Sequence, residues 1–390
     1  MVFTAIAALA LAIWLYLVCA RGGFWLCRQR DDVLPWSPPT GAPPSWPSVT
    51  AVIPARNEAE GIADSIGSLA RQDYPGPFSI VLVDDDSEDA TAELARSAAA
   101  GLGSDRSFTL ISSRGLASGW TGKLWAVRQG VEAANNAAQP PDYLLLTDAD
   151  IVHTPDSVRA LVARAEHGNY VLTSLMARLR CESGWERSHV PAFVYFFQML
   201  YPFASVNDPK NATAGAAGGC MLVRADALKR AGGIESIRAA LIDDCSLAEK
   251  MKAVGPIWLG LTNRVASIRR YDDFEEVRKM ISRSAYAQLK YSPLLLAGVT
   301  LGMALTFLAG PLLALFGDGT ARLLGLLTWI LMAVSFQPML RFYRMSPLWG
   351  LGLPAIAVVY MLYTLDSAYR YVRGQGGSWK GRAQANVSGS

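Results

Sequence analysis

The sequence predicts an α/β domain with a Rossmann-like sheet, preceded and followed by membrane-spanning helices. Between residues 47 and 272, short apolar runs alternate with segments of helical periodicity, which is typical of strand–helix–strand units. Two of these runs end abruptly in carboxylates, at 84–86 and at 148–150. Long uncharged apolar segments lie outside this region, near both ends of the chain. Together these observations indicate a water-facing α/β domain that is held at a membrane by apolar segments before and after it in the sequence.

The predicted domain begins with a strand over 49–54, which follows a proline-rich stretch. A polar loop over 55–58 and a helix over 59–71 come next, because Ile62, Ile66 and Leu69 recur at helical spacing. The alternation that follows favours a parallel sheet of nucleotide-binding type. The remaining predicted elements are a strand leading to Asp85, a helix over 90–100, a strand over 109–112, a helix over 123–134, a strand over 144–147 and a strand over 221–223.

Uncharged apolar segments at 4–20, 293–316, 323–340 and 345–365 approach the roughly 20 residues that span a hydrocarbon core. The hydrophobic fraction of the chain is 51% and its mean hydropathy is +0.21, both high for a soluble protein. Arginines follow the first segment instead of preceding it. We therefore expect a retained anchor and not a cleaved signal peptide.

The distribution of basic residues predicts an orientation. Arg21, Arg28 and Arg30 follow the first span, so the positive-inside rule puts the amino terminus outside and the large domain in the cytoplasm. Four full spans would then leave the basic carboxyl-terminal tail outside, against the same rule. Either one of the later segments is re-entrant or interfacial, with a break at Gly310-Pro311, or the tail is an exception.

Charge and cysteine content exclude some classes of partner. The net charge of +3 is too small to indicate a nucleic-acid partner, and the five cysteines lack metal-ligand spacing and fit a reducing compartment.

The apolar segments, the proline-rich stretch and the α/β alternation predict the domain organisation. The expected parts are a transmembrane anchor over 1–22, a juxtamembrane and proline-rich linker over 23–46, a catalytic domain over 47–272, an amphipathic interfacial helix over 273–291, transmembrane segments over 292–370 and a basic tail over 371–390.

The carboxylates after the apolar runs indicate a cation site. Ligands of open α/β sheets bind beyond the carboxyl ends of the strands, so both acidic elements should face one crevice. Asp148 and Asp150 alternate along an extended chain and can address one ion together. Oxygen ligands in a solvent-facing site suit Mg²⁺ or Mn²⁺, which usually carry a substrate diphosphate as a further ligand. We therefore expect a nucleotide-sugar site, with Asp150 as the more direct metal ligand.

A glycine-rich element, Gly119-Trp120-Thr121-Gly122-Lys123, opens the helix predicted over 123–134. Glycines let the backbone approach a ligand, and a helix N-terminus attracts phosphate. Lys123 would supply a positive charge to the diphosphate or complete the nucleotide pocket.

Taken in order, these motifs resemble those of the family 2 glycosyltransferases of GT-A fold, and more closely those of the membrane-anchored hopanoid-associated glycosyltransferases. The resemblance covers nearly the whole chain, including the anchor and the later spans. Ceramide glucosyltransferases have a similar layout. The residues that carry the resemblance are Ile53-Pro54-Ala55-Arg56-Asn57-Glu58, Val83-Asp84-Asp85-Asp86-Ser87, Gly119-Trp120-Thr121-Gly122-Lys123, Asp148-Ala149-Asp150, Gly218-Gly219-Cys220 and Asp243-Asp244.

The resemblance implies roles for residues at the donor site. Pro54, Ala55 and Glu58 would hold the nucleobase and ribose, and Asp85 would contact uracil or its ribose. The first group also fits a plain helix N-terminus with Asn57 as its cap.

The resemblance further implies that Asp244 is the catalytic base, supported by Asp243, although either residue would also cap a helix well. Processive and ceramide-type members carry a Gln/Arg-x-x-Arg-Trp element after the base. The corresponding stretch here, 280–284, keeps only Arg283, which we expect to meet the diphosphate. The tryptophan of that element is missing, which argues against a long polysaccharide product.

The function implied is an inverting, Mg²⁺- or Mn²⁺-dependent glycosyltransferase at the cytoplasmic face of a bacterial inner membrane. Its donor would be a UDP-sugar and its acceptor a lipid hydroxyl, with a hopanoid as the lipid that the resemblance implies. Two alternatives stay open. One is a polyprenyl-phosphate glycosyltransferase, whose acceptor needs no strong base. The other is a membrane protein that binds nucleotide sugar without catalysis.

Overall fold

The structure, a computed structural model, describes residues 1–32, 45–103, 106–374, 378–379 and 382–383. Most of the predicted proline-rich linker and most of the predicted basic tail lie outside these residues. The chain divides into two compact units. The first, here called the membrane unit, comprises 1–28, 181–204 and 270–377, and the second, here called the sheet unit, comprises 29–180, 205–269 and 378–390.

Strands and helices alternate through the sheet unit, as the apolar pattern predicts. The strands are β1 (Val49–Ala55), β2 (Phe78–Asp84), β3 (Arg106–Ser112), β4 (Tyr143–Thr147), β5 (Ile151–His153), β6 (Leu172–Arg178), β7 (Cys220–Arg224), β8 (Ile257–Ser267), β9 (Ser378–Trp379) and β10 (Arg382–Ala383). The α-helices of both units, within the residues that the structure describes, are α1 (Val2–Cys19), α2 (Ile62–Ala70), α3 (Thr91–Ala99), α4 (Gly122–Asn135), α5 (Ser157–His167), α6 (Gly184–Leu200), α7 (Phe203–Asn207), α8 (Ala225–Arg230), α9 (Asp243–Lys252), α10 (Phe274–Gln288), α11 (Pro293–Met303), α12 (Ala309–Phe316), α13 (Gly319–Phe342) and α14 (Leu353–Val372).

Within the described residues, β1 to β8 form one sheet in the order β3-β2-β1-β4-β7-β6-β8-β5. The four strands predicted from the alternating pattern, β1 to β4, are parallel. The parallel sheet expected from the alternation is confirmed for these four strands, but the complete sheet is mixed, because β7 runs antiparallel to both β4 and β6, and β5 runs antiparallel to β8. The pattern of apolar runs cannot report strand direction, which depends on long-range pairing.

The direction of β7 matters for the position of the loop before it. In the β4–β7 pair, Thr147 at the end of β4 faces Cys220 at the start of β7. The small-residue loop that ends in Gly218 and Gly219 therefore lies beside the carboxyl end of β4. A parallel β7 would have carried this loop to the opposite edge of the sheet.

Helix α4 approaches the sheet closely because of one glycine. A Cβ atom on Gly130 would lie 2.4 Å from Cγ1 of Val52 and 3.0 Å from Cγ2 of Val83. The N-terminus of α4 is capped by Thr121, whose side chain accepts a hydrogen bond from the Leu124 N–H. This contact and this cap set where Lys123, in the first turn of α4, meets the end of the sheet.

The membrane unit contains the apolar segments that the sequence singles out. Among the described residues, four helical segments are long and apolar enough to cross a membrane: Val2–Cys19, Pro293–Phe316, Gly319–Phe342 and Pro347–Val372. The predicted amphipathic helix is also present as α10, capped by Asp273.

The predicted break at Gly310-Pro311 is wrong, because the chain stays helical from Pro293 to Phe316. A π-helical turn, Ala304–Leu308, precedes the proline. It shifts the hydrogen-bond register next to a residue that has no N–H to donate.

This π-helical turn is bonded to the amino-terminal helix. Pro311 lies in the helix that follows and has no N–H to donate to the turn before it. The indole N–H of Trp14 donates to the Thr306 carbonyl instead, at 2.7 Å. The Trp14 ring also meets the edge of Phe307, with 5.6 Å between the ring centroids. An unpaired carbonyl in apolar surroundings is costly, and the Trp14 N–H provides a partner for this one.

Replacing Trp14 with Phe should therefore destabilise the membrane unit by about 1–3 kcal/mol, because the Thr306 carbonyl loses its donor while the aromatic contact remains. Thermal unfolding of the full-length protein in detergent measures this. Trp185→Phe is the matched control, since this tryptophan is 45% exposed. Adding Pro311→Ala to the Trp14 variant restores a backbone donor and should recover part of the loss. Equal stability of the Trp14 and Trp185 variants would contradict the assignment.

Candidate functional site

A cleft opens where the carboxyl ends of the central strands meet the start of β7. It combines apolar walls with a few charged groups, as small-molecule sites commonly do. Its lining residues are Pro54, Lys123, Leu124, Val127, Leu146, Thr147, Asp148, Gly218, Met221, Ile234, Ile237, Asp243 and Leu247. Four residues predicted from sequence, Pro54, Lys123, Asp148 and Asp243, therefore line one cleft.

Lys123 joins two of the predicted acidic elements. Its Nζ lies 2.9 Å from Oδ1 of Asp148 and 3.1 Å from Oδ2 of Asp243. Burial alone would lower the pKa of the Lys123 ammonium, but the two carboxylates outweigh burial and raise it. Burial raises the pKa of Asp148, and the charge of Lys123 opposes that rise. Lys123 is thus the resident cation that lets these carboxylates share the cleft.

Asp244 faces a different set of donors. Its Oδ2 accepts from the Gly218 N–H at 3.0 Å, and its Oδ1 accepts from the Cys245 N–H at 2.7 Å. Burial and then the charge of Asp243 raise the pKa of Asp244 to about 6. Asp243 and Asp244 both lie in the first turn of α9, so the helix N-terminus also favours their charged forms. A carboxylate with such a pKa can take up a proton near neutral pH.

Asp150 is held from the end of β8. Its Oδ2 accepts from the Ser267 hydroxyl at 2.9 Å and from Nε of Arg269 at 3.1 Å. Nη2 of Arg269 also lies 2.8 Å from Oε1 of Glu58, which joins the loop after β1 to the turn after β4. Sequence reasoning missed Ser267 and Arg269. The only signal available for them was a serine and an arginine at the end of an apolar run, with nothing to pair that run with Asp150.

The loop after β1 is tied to the acidic run after β2. Nη1 of Arg56 donates to the carbonyl oxygens of Asp85 and Asp86, at 2.5 and 2.7 Å. Asn57 does not cap α2: its backbone is left-handed and its side chain accepts from the Glu88 N–H. Arg56 therefore holds the two loops together.

Within the acidic run, the side chain of Asp85 is fully buried. Asp84 is partly exposed, and its buried Oδ1 has no hydrogen-bond partner among the described residues. An unpaired buried oxygen of this kind is unusual, so Asp84 offers a free acceptor for a ligand N–H or hydroxyl. The role of Asp85 in donor binding stays a prediction. Ala55 is also fully buried, and its carbonyl accepts from the Asp85 N–H at 2.8 Å.

Arg283 lies in the membrane unit, on α10, where its side chain is exposed. Its contact with a diphosphate stays a prediction.

The donor set fits a divalent cation held jointly with a substrate. Asp148 is engaged through Oδ1 and Asp150 through Oδ2, which leaves the second oxygen of each carboxylate for an ion. No group of three or more histidine, cysteine, aspartate or glutamate residues with metal-site geometry occurs in the part of the chain that the structure describes. One or two carboxylates completed by substrate phosphates is the usual arrangement for Mg²⁺.

Known proteins resemble this chain in sequence. Residues 50–232 match the family model described as Glycosyl transferase family 2. An undecaprenyl-phosphate 4-deoxy-4-formamido-L-arabinose transferase of Pseudomonas aeruginosa is 31% identical over 141 residues, which are 36% of this chain and 38% of that protein. An N-acetylglucosaminyltransferase of Mesorhizobium japonicum is 45% identical over 56 residues, 14% of this chain and 13% of that protein. The matches thus span well under half of each relative.

One solved structure resembles nearly the whole chain in fold. It is a mannosyltransferase of Pyrobaculum calidifontis in complex with GDP-Man and Mn²⁺, with a TM-score of 0.55 and 19% identity. The similarity covers 92% of this chain and 99% of that one. The expected fold class is confirmed: an α/β, Rossmann-like GT-A fold with helices apolar enough to span a membrane in both terminal regions.

Lys123→Met should lower stability by about 2 kcal/mol at pH 8, because Asp148 and Asp243 lose their shared cation and repel; a fully buried pair would lose more. Without that cation the pKa of Asp148, which burial already raises, rises further, so the loss should shrink as the pH falls to 5 and this carboxyl group takes up a proton. Unfolding midpoints at both pH values measure the effect. Lys250→Met, at an exposed position of α9, is the control. A loss of the same size at both pH values would refute the charge argument.

Proposed function

We propose that this chain, which carries a glycosyl transferase family 2 domain over residues 50–232, transfers a sugar from a nucleotide-sugar donor to a lipid hydroxyl with inversion. The observation that carries the proposal is the convergence of two acidic elements, 148–150 and 243–244, and one lysine on a single cleft. Asp148 and Asp243 both form an ion pair with Lys123, and Asp244 accepts a hydrogen bond from the Gly218 N–H. Repelling carboxylates of this kind are expected where a cation and a diphosphate bind.

The residues divide the chemistry between leaving group and nucleophile. Asp148 and Asp150 would hold the divalent cation, Mg²⁺ or Mn²⁺, which supplies Lewis-acid neutralisation of the departing nucleoside diphosphate. Lys123 adds a positive charge at the same place, and this charge opposes the rise that burial causes in the pKa of Asp148. Pro54, Ala55, Glu58 and Asp85 would form the nucleoside pocket, which we assign to a UDP-sugar, with Asp84 as a further acceptor.

Asp244 would act as the base. Inverting transfer to a hydroxyl requires a carboxylate that takes the acceptor's proton while the oxygen attacks the anomeric carbon. A pKa of about 6 leaves Asp244 ionised at neutral pH yet basic enough to accept a proton. Asp243 supports it by keeping that pKa raised and by binding Lys123.

The acceptor is proposed to be a membrane lipid. Helices long and apolar enough to span a bilayer occur in both terminal regions, and α10 combines apolar and basic residues as interfacial helices do. Among lipid hydroxyls, a hopanoid is the acceptor that the sequence resemblance implies. The basic residues after the first span support a bacterial inner-membrane location with the sheet unit in the cytoplasm.

A second candidate is transfer to a polyprenyl phosphate. The undecaprenyl-phosphate sugar transferase of Pseudomonas aeruginosa that matches 36% of this chain favours it. A phosphate acceptor is already anionic at neutral pH and needs no base. The raised pKa of Asp244 is the feature that favours the hydroxyl.

Asp150→Asn should abolish the divalent-stimulated part of nucleotide-sugar binding, because the cation loses a ligand while the fold keeps a residue of the same shape. Titration calorimetry of the detergent-solubilised protein, with and without Mn²⁺, measures this. Asp64→Asn, at an exposed position of α2, is the control. Intact metal-stimulated binding in the Asp150 variant would refute the metal assignment.

Asp244→Asn should reduce transfer to a lipid hydroxyl by about 10²–10⁴-fold, the usual worth of a general base, with little change in donor binding. In the wild type the transfer rate should fall about tenfold per pH unit below pH 6, because protonated Asp244 cannot accept a proton. Initial rates from pH 4.5 to 8 measure both effects. A polyprenyl phosphate acceptor that the Asp244 variant still uses at the wild-type rate would favour the second candidate. Donor binding without transfer to any lipid would contradict catalysis.

A further inference from the structure

The guanidinium of Arg269 bridges two carboxylates from different loops. Its Nε lies 3.1 Å from Oδ2 of Asp150, and its Nη2 lies 2.8 and 3.1 Å from the two oxygens of Glu58. Glu58 comes from the loop after β1 and Asp150 from the turn after β4, while Arg269 follows β8. One side chain thus ties three separate segments of the sheet unit together.

The backbone supports this contact. The Ile268 N–H donates to the Asp150 carbonyl at 2.9 Å, and β5 pairs with β8 so that Ile151 faces Ser267. The Ser267 hydroxyl donates to the same Oδ2 of Asp150 that Arg269 binds. Asp150 is therefore held both through its main chain and through one oxygen of its side chain. A planar guanidinium can serve two carboxylates in fixed directions, which a lysine ammonium cannot.

The charge balance at this bridge bears on cation binding. Glu58 and Asp150 together carry two negative charges, and Arg269 neutralises one of them at the oxygen next to the one a metal would use. The side chains of Glu58, Asp150 and Arg269 are 14%, 17% and 35% exposed, so an ion in solution can reach them. A divalent cation that approaches Asp150 alone therefore meets a positive charge already in contact with the carboxylate.

We propose that Arg269 is a positioning residue that holds Asp150 through Oδ2 and suppresses divalent-cation binding to the free protein, so that the cation binds together with the nucleotide diphosphate. The diphosphate supplies the additional oxygen ligands and negative charge that outweigh the guanidinium. This inference rests on the proposed metal-dependent transfer. Under this inference, Arg269 determines that the cation binds together with the donor and not before it.

The test is Mn²⁺ binding to full-length, detergent-solubilised protein without nucleotide, followed by the electron paramagnetic resonance signal of free Mn²⁺. Arg269→Gln should bind Mn²⁺ roughly tenfold more tightly than the wild type, because the opposing charge is gone. The double variant Asp150→Asn, Arg269→Gln should lose this gain. Arg270→Gln removes the same charge one residue away, at an exposed position, and should keep the wild-type affinity.

Equal Mn²⁺ affinity in the wild type and in folded Arg269→Gln would overturn the inference, and so would a gain that survives in the double variant. If the Gln variant does not fold, Arg269→Lys replaces it. Its single ammonium cannot hold both carboxylates, so it should show a smaller gain, and unchanged affinity would overturn the inference.

The proposed function is tested separately, by transfer with the wild type and with Asp244→Asn. A gain in Mn²⁺ affinity without any transfer by the wild type would refute the function and leave the inference standing. Metal-dependent transfer by the wild type, together with unchanged Mn²⁺ affinity in Arg269→Gln, would support the function and overturn the inference.

Discussion

Repulsion between carboxylates gathered at one edge of a sheet is the constraint on which the sheet unit's site depends. Asp148, Asp150, Asp243 and Asp244 come from two regions of the chain nearly a hundred residues apart, and each costs free energy in the presence of the others. Two cations offset that cost: Lys123 serves Asp148 and Asp243, and Arg269 serves Asp150 and Glu58. Asp244 accepts from two backbone N–H groups, which lower its pKa, but burial and then the charge of Asp243 outweigh them and keep that pKa raised.

The mixed sheet is what brings these groups together. Parallel strands β1, β2 and β4 direct their carboxyl ends to one edge, as in other α/β folds. Antiparallel β7 adds its beginning to that edge, and with it the Gly218 N–H that binds Asp244. The pairing of β8 with β5 likewise delivers Ser267 and Arg269 to Asp150. The site is thus made from strands of both directions.

The membrane unit meets a different constraint, because its long apolar helices leave few polar partners for backbone groups that a proline or an irregular turn exposes. Pro311 has no N–H to donate, a π-helical turn precedes it, and the Trp14 indole N–H donates to the Thr306 carbonyl within that turn. The amino-terminal helix is therefore part of the packing of this unit, with a polar contact of its own, and is more than a tether.

The sequence by itself determined the α/β alternation, the bounds of β1 to β4 within a few residues, the apolar segments and the identity of most acidic residues in the cleft. These features follow from local patterns: periodicity, charge and turn chemistry are properties of neighbouring residues. Only the tertiary structure decided that β7 is antiparallel, that Lys123 lies between Asp148 and Asp243, that Asp84 keeps an unpaired oxygen while Asp85 is buried, and that Arg269 binds Asp150. The physical reason is that strand register and ion pairing join residues about 25 to 120 positions apart, and no local pattern records which distant partner a charged side chain will find.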